Sequence, residues 1–221
     1  MVPPLAVDID GTLSRPDRTI DPRIFDALSA WGAQVVIATG KAFPYPVALA
    51  EFVGIEKNVI AENGGVSLAA DTLEFLGDRT AADAVISEYR DAGYELGYGS
   101  VDLANYWRET EVAVSRDSPL GPLEEIAERH GLEVVDTEYA YHVKSPDVDK
   151  GRALESVANA LDFEASQFVA IGDSENDVEL FETAGTAFAV GNAVDGAKRS
   201  ADHVMEGTYA DGFLEALNAF Y

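Results

Sequence analysis

Leu5-Ala6-Val7-Asp8-Ile9-Asp10-Gly11-Thr12-Leu13 runs from apolar residues into a glycine, with two carboxylates two residues apart at the junction. An apolar run that stops at glycine reads as a buried strand feeding a loop. Asp8 and Asp10 then lie at the carboxyl end of a parallel strand, where open α/β sheets take their ligands. Neighbouring carboxylates repel unless a cation sits between them or one holds a proton. A divalent metal is the simplest remedy. Mg²⁺ takes one or two carboxylates and keeps its other positions for water and substrate phosphate. Asp-Gly is also a common turn pair, so the string alone leaves an ordinary turn open. An EF-hand calcium loop is excluded, because Leu13 stands at the sixth position where that loop needs glycine.

A second acidic stretch follows the same plan. Phe168-Val169-Ala170-Ile171-Gly172 is an apolar strand ending in glycine, and Asp173-Ser174-Glu175-Asn176-Asp177 precedes a helical run from Val178 to Ala184. Asp173 or Ser174 could simply cap that helix. A cap needs one such residue, whereas carboxylates stand at 173, 175 and 177.

Two weaker signals lie between these stretches. Val35 to Ala38 forms a strand followed by Thr39-Gly40-Lys41, and a hydroxyl with free backbone N–H groups at such a turn suits a phosphate oxygen. This is not a P-loop, because Val35 and Ala42 occupy the positions of its first glycine and its Ser/Thr. Lys150 opens a helical pattern carried by Leu154, Val157, Ala158 and Leu161. It is one of five lysines in the chain; by itself it reads first as a solvated charge.

Composition sets the frame. The chain has 221 residues, 47% hydrophobic, enough for one sizeable domain and an insert. Lys+Arg number 15 against 40 Asp+Glu, a formal net charge of −25. That surface repels nucleic acid and anionic membranes. It suits a protein working in concentrated salt, where the Debye length falls to about 3 Å at 1 M. A halophilic source, with a halophilic archaeon first, is the expectation. Cysteine is absent, which excludes disulfides and thiolate chemistry. No apolar run approaches membrane-spanning length, and the N-terminus enters the first strand with no signal-peptide pattern, so a cytoplasmic location is expected.

Periodicity supplies the layout. A helix from Asp21-Pro22 to about Trp31, a helix near Val47 to Val53 and a third strand at Val59 to Ala61 give β-α-β-α-β order. That order implies right-handed crossovers and a parallel sheet covered on both faces, a three-layer Rossmann-like α/β core. The alternation returns after Lys150 with strands at 168–172, 187–190 and 203–205 and a last helix near 211–220. The middle reads differently: a helix from Ala81 to Ala92, a half-buried strand over Glu111 to Ser115, a helix over Pro119 to His130, and two antiparallel strands around a turn at Thr137 to Ala140. The expected division is a core of residues 1–79 and 146–221 with an α+β insert at 80–145.

In order along the chain, Asp8/Asp10, Thr39, Lys150 and Gly172-Asp173-Ser174-Glu175-Asn176-Asp177 resemble the four motifs of the haloacid dehalogenase-like phosphatases. Glu62-Asn63-Gly64-Gly65 and Val190-Gly191-Asn192-Ala193 resemble the branch holding sugar-phosphate phosphatases and archaeal phosphoglycolate phosphatases, the latter nearest in size. Lys41 departs from the pattern, since arginine is frequent after that glycine.

The resemblance implies a Mg²⁺-dependent phosphatase acting on a small anionic phosphate ester, 2-phosphoglycolate first. It makes Asp8 the nucleophile and Asp10 the acid and base. Thr39, Gly40 and Lys150 hold the phosphate. Asp8, the Asp10 backbone carbonyl, Asp173 and Asp177 form the metal site, with Asp177 either a ligand through water or the residue that orients Lys150. It makes the insert between the second and third motifs a cap over the site. A phosphosugar phosphatase or phosphomutase on the same core, and a binding module without turnover, are the alternatives. Arg108, Arg116, His142 and Lys144 are the candidate cations of the insert, and Tyr106-Trp107 either lines its pocket or fills its own core.

Overall fold

In the computed structural model, which describes residues 2–137 and 139–220, the chain begins with β1 (Leu5–Val7), α1 (Arg23–Ser29), β2 (Val35–Ala38), α2 (Pro44–Val53) and β3 (Asn58–Ala61). The hairpin β4 (Val66–Ala69) and β5 (Thr72–Phe75) follows. Then come α3 (Arg79–Asp91), β6 (Val112–Val114), α4 (Leu120–Arg129), β7 (Glu133–Asp136) and β8 (Tyr141–Lys144). The last part runs through α5 (Lys150–Ala160), β9 (Val169–Gly172), α6 (Val178–Thr183), β10 (Thr186–Ala189), α7 (Asp195–Ser200), β11 (His203–Val204) and α8 (Ala210–Leu217).

The main sheet has the order β11-β10-β9-β1-β2-β3-β4-β5. Its first six strands are parallel, and β4 and β5 are antiparallel additions at one edge. The chain leaves β1 toward β2 and β3, and later builds β9, β10 and β11 on the other side. The direction of winding therefore reverses at β1, and a crevice opens beyond the carboxyl ends of β1 and its neighbours. Leu5 pairs with both Val35 and Val169, and Val7 with both Ile37 and Ile171, so the three strands end level.

Alternation along these strands feeds two cores. Leu5, Val7 and Ile37 face α1, α2 and α8, meeting Ile24, Leu28, Leu49 and Phe213. Ala6, Val36 and Ala38 face α5, α6 and α7, meeting Leu154, Val157, Phe181 and Ala197. This is the three-layer α/β arrangement the periodicity implies.

α3 and α4 pack on one face of a smaller antiparallel sheet, order β6-β8-β7. Val85, Tyr89, Leu123 and Ile126 meet Val112, Val114 and Val143 there. Period-two geometry sends Ala113 and His142 to the opposite face, toward the main sheet. The β7–β8 pairing is antiparallel, as expected; Glu138 in its turn lies outside the described residues.

Two local readings are corrected. α2 begins at Pro44 rather than near Val47, because prolines are tolerated in a helix's first turn and Pro44 and Pro46 both sit there. The β4–β5 hairpin is a further strand pair that the periodicity did not suggest. Its two-residue turn, Ala70-Asp71, has both φ positive, 47° and 61°, without the glycine that usually marks such a turn.

Candidate active site

The crevice gathers side chains from distant parts of the chain. Asp8 lies just past β1 and is 3% exposed. Lys150 follows the cap Asp149, whose carboxylate accepts from Arg152 N and fixes the first turn of α5. The Lys150 ammonium is fully buried and donates to Asp8 Oδ1 at 2.8 Å, Asp177 Oδ1 at 2.7 Å and Asn176 Oδ1 at 3.2 Å. The solvated reading of Lys150 is thereby overturned. Asp177 Oδ2 accepts from Asp173 N and Ser174 N, both at 3.0 Å. Asp177 thus binds the loop after β9 with one oxygen and orients Lys150 with the other.

Asp8, Asp173 and Asp177 bring carboxylate oxygens within 4.8 Å of one another, all buried. Burial pushes the Asp8 carboxyl up to about 7; the Lys150 charge opposes this, while Asp177 and Asp10 reinforce it. Burial raises Asp173 as well, reinforced by the charges of Asp8 and Asp177. On Lys150, burial alone would favour the neutral amine, but Asp177 and Asp8 outweigh it and hold the ammonium above its usual range. One ammonium among three carboxylates leaves an excess of negative charge. A hard divalent cation on oxygen ligands fits that excess and that donor set.

The loops are matched in shape. Gly11 has φ +81°, and a Cβ there would stand 1.9 Å from Asp173 Oδ2. Thr12 Oγ1 donates to Asp173 Oδ1 at 2.9 Å. Asn192 donates to Gly11 O at 3.0 Å while accepting from Tyr209 N, so the Val190–Ala193 fragment braces the loop that carries Asp10.

Asp10 departs from the carboxylate cluster. Its side chain pairs with Lys41 Nζ at 2.7 Å and lines an open cleft of about 230 Å³ with Asp8, Thr39 and Gly40. Its expected part in metal binding concerns the backbone carbonyl, not this carboxylate. The Thr39 hydroxyl accepts from Lys41 N at 3.1 Å. Gly40 leaves no room for a side chain, since a Cβ would meet Asn63 Oδ1 at 2.8 Å.

Sequence reasoning missed the links between the two sheets. Glu62 is fully buried, and its carboxylate accepts from Glu109 N, Thr110 N and Thr110 Oγ1. Glu62 and Asn63 hold φ of 52° and 55°, and a Cβ on Gly65 would stand 2.0 Å from Thr110 Oγ1. Glu62-Asn63-Gly64-Gly65 is therefore the clasp on the smaller unit. Asn63 Nδ2 donates to Glu111 Oε2 at 2.8 Å, and Asn176 Nδ2 donates to Asn63 Oδ1 at 2.7 Å. The unusual Glu-Asn-Gly-Gly string was the available signal.

The insert cations divide. Arg108 and His142 line the cleft. Arg116 instead pairs with Asp136 at 3.0 Å and Lys144 with Glu133 at 2.6 Å, and neither lines it. Tyr106 is 76% exposed and Trp107 40%, so neither belongs to the core of the insert. Trp107 packs edge-on against Tyr45 of the main domain, with ring centroids 6.5 Å apart.

Residues 5–92 and 124–217 match the family described as haloacid dehalogenase-like hydrolase. The chain belongs to the haloacid dehalogenase-like hydrolases. A protein of Natronomonas pharaonis named phosphoglycolate phosphatase is 60% identical over 220 residues, covering 99% of this chain and 97% of the relative. One of Halobacterium salinarum with the same name is 56% identical over 216 residues, covering 98% and 96%. The crystal structure of Thermoplasma acidophilum 0175 superposes on this hydrolase with a TM-score of 0.85 at 24% identity, covering 100% of this chain and 98% of that one. That likeness extends to the fold. Among the described residues, no helix of this hydrolase is long and apolar enough to cross a membrane.

Proposed function

We propose that this hydrolase converts 2-phosphoglycolate to glycolate and inorganic phosphate through a phosphorylated Asp8. The observation that carries the chemistry is the juxtaposition at the end of β1. Asp8 sits on the Lys150 ammonium beside two further buried carboxylates, and Asp10 lines the cleft above them. The substrate comes from the name borne by the relatives that are more than half identical.

In this reading an Asp8 carboxylate oxygen attacks phosphorus and the phosphorus–ester oxygen bond breaks. Asp10, carrying a proton, gives it to the departing alkoxide. Asp10 then takes a proton from water, whose oxygen attacks phosphorus and breaks the bond to Asp8. Phosphate leaves, and Asp8 and the protonated Asp10 are restored. Thr39 and the N–H groups around Gly40 hold phosphoryl oxygens, and Lys150 supplies positive charge. Asp8, Asp173, the Asp10 carbonyl and, through water, Asp177 would hold Mg²⁺. When bound, Mg²⁺ offsets the carboxylate charge and polarises the phosphoryl oxygens. Residues 80–145 act as the cap, excluding water from the reacting groups.

Phosphate release from 2-phosphoglycolate, hexose phosphates and nitrophenyl phosphate tests the proposal, with Mg²⁺ and with chelator. The expected result is the highest kcat/KM for 2-phosphoglycolate and near-complete loss on chelation. A preference for a hexose phosphate would replace it with the phosphosugar reading.

The charge of −25 supports a protein adapted to concentrated salt. Self-repulsion among exposed carboxylates is screened as salt rises. The melting temperature is expected to climb by roughly 10 °C between 0.1 M and molar KCl, several kcal/mol for a chain of this size. A flat melting temperature across that range would remove the halophilic reading.

A further inference from the structure

Net charge poses a problem for any anionic substrate, and the cleft answers it locally. Arg18, Lys41 and Arg108 line it, drawn from 15 lysines and arginines in the whole chain. Lys41 is engaged by Asp10, and Arg18 stacks on the Tyr139 ring 4.9 Å from its centroid. Arg108 and His142 differ, because one buried carboxylate pins both. His142 Nδ1 lies 2.7 Å from Glu111 Oε1, and Arg108 Nη1 donates to the same oxygen. Arg108 Nε donates to Ala104 O at 3.0 Å. Glu111 is fully buried, and Asn63 holds its other oxygen. Burial would raise the Glu111 carboxyl, yet the His142 and Arg108 charges and the bonds from His142 and Asn63 hold it at about 2.

This leaves two nitrogens unclaimed. Arg108 Nη2 and His142 Nε2 have no protein partner among the described residues. No buried side-chain nitrogen or oxygen among the described residues lacks a partner, so both atoms reach solvent, and both residues line the cleft. Nδ1 is committed to Glu111, which leaves Nε2 to meet a ligand in the cleft. The roof therefore offers the Arg108 guanidinium and the His142 ring, both held by Glu111, and the floor offers Asp8, Thr39 and Gly40. A ligand spanning both carries a phosphoryl group at one end and a carboxylate at the other.

We infer that Arg108 and His142, set by the buried Glu111, recognise the carboxylate of the substrate and thereby select carboxylated phosphate esters over neutral ones. The inference rests on the phosphatase reading above and assigns the specificity of that same site. Arg108 and His142 are specificity residues, and Glu111 is a positioning residue that acts through them. A site built to pair a charge strongly disfavours an analogue lacking it, because its donors are then left unpaired.

The test compares 2-phosphoglycolate with ethyl phosphate, in which a methyl replaces the carboxylate, for the wild type, Arg108→Gln and His142→Gln. Arg108→Gln is expected to lower kcat/KM for 2-phosphoglycolate about 100-fold, mainly through KM, with ethyl phosphate changed less than about threefold. His142→Gln is expected to lose about 10-fold, again on the carboxylated ester alone. Arg108→Lys should recover part of the loss, since charge returns without the fork. Glycolate should bind the wild type and bind Arg108→Gln weakly in calorimetry, a binding readout independent of turnover. Equal losses on both esters, or an undiminished preference in both glutamine variants, would overturn the assignment while leaving the phosphatase reading intact. A wild-type preference for neutral esters would overturn both the assignment and 2-phosphoglycolate as the substrate, and absence of phosphate release from every ester would overturn the phosphatase reading itself. Circular dichroism confirms that each variant is folded; if Arg108→Gln is not, His142→Gln and Arg108→Lys decide.

Discussion

Asp8→Asn yields a folded protein whose phosphate release falls on the order of 10⁴-fold or more, because the attacking oxygen is lost and no neighbouring group replaces it. The substitution is nearly isosteric, and the amide oxygen still accepts from Lys150 where Asp8 Oδ1 now does, at 2.8 Å. It also removes one member of a crowded carboxylate group that burial and repulsion make costly to ionise. The magnesium-free variant should therefore melt no lower than the wild type, and somewhat higher at neutral pH. A melting curve beside a phosphate-release assay checks both halves. Near-normal turnover in a folded Asp8→Asn protein would rule out Asp8 as the nucleophile. A site that gains stability when its chemistry is removed is what strained functional groups predict.

Lys150→Met is the converse case. The ammonium is fully buried, and two of its three bonds go to carboxylates. Removing one partner of a buried ion pair leaves its charges uncompensated and costs roughly 3–5 kcal/mol. In chelator, Lys150→Met should lose about 4 kcal/mol of unfolding free energy, and Mg²⁺ should return part of it by neutralising the same oxygens. Denaturant titration with and without Mg²⁺ reads this directly. Activity should fall at least about 100-fold in either case, since the positive charge beside Asp8 is gone. A loss under about 1 kcal/mol would mean that Lys150 is not the counter-ion of this cluster.

The sequence marked the main sheet well wherever apolar runs met glycine. Leu5–Val7, Val35–Ala38 and Val169–Gly172 are strands with unbroken burial, and their carboxyl ends carry Asp8, Thr39 and Asp173. Those signals are local, so a single chain displays them. What escaped has the opposite character. The β4–β5 turn uses Ala70 and Asp71 at positive φ, a strain the tertiary structure imposes and composition does not announce. Arg108, Glu111 and His142 become a unit only when β6 and β8 pair, Ala113 with His142, and bring residues 31 apart in sequence within hydrogen-bond reach. His142 and Lys144 share a face of β8, two residues apart, and only the partners they meet, Glu111 for one and Glu133 for the other, separate the residue that lines the cleft from the one that does not. Lys41 was noted only as a departure from a familiar pattern, and its bond to Asp10 needed three-dimensional placement.

One consequence concerns the two asparagines between floor and roof. Lys150 donates to Asn176 Oδ1, Asn176 Nδ2 to Asn63 Oδ1, and Asn63 Nδ2 to Glu111 Oε2. Each amide has its oxygen toward the lysine and its nitrogen toward the glutamate, so turning either one over would set oxygen against oxygen. The row has a single polarity, like links that mesh in one sense only. Glu111 of the insert and the Lys150 ammonium beside Asp8 are thereby joined by one unbroken row of donors and acceptors, so neither end can be repositioned without the two asparagines between them.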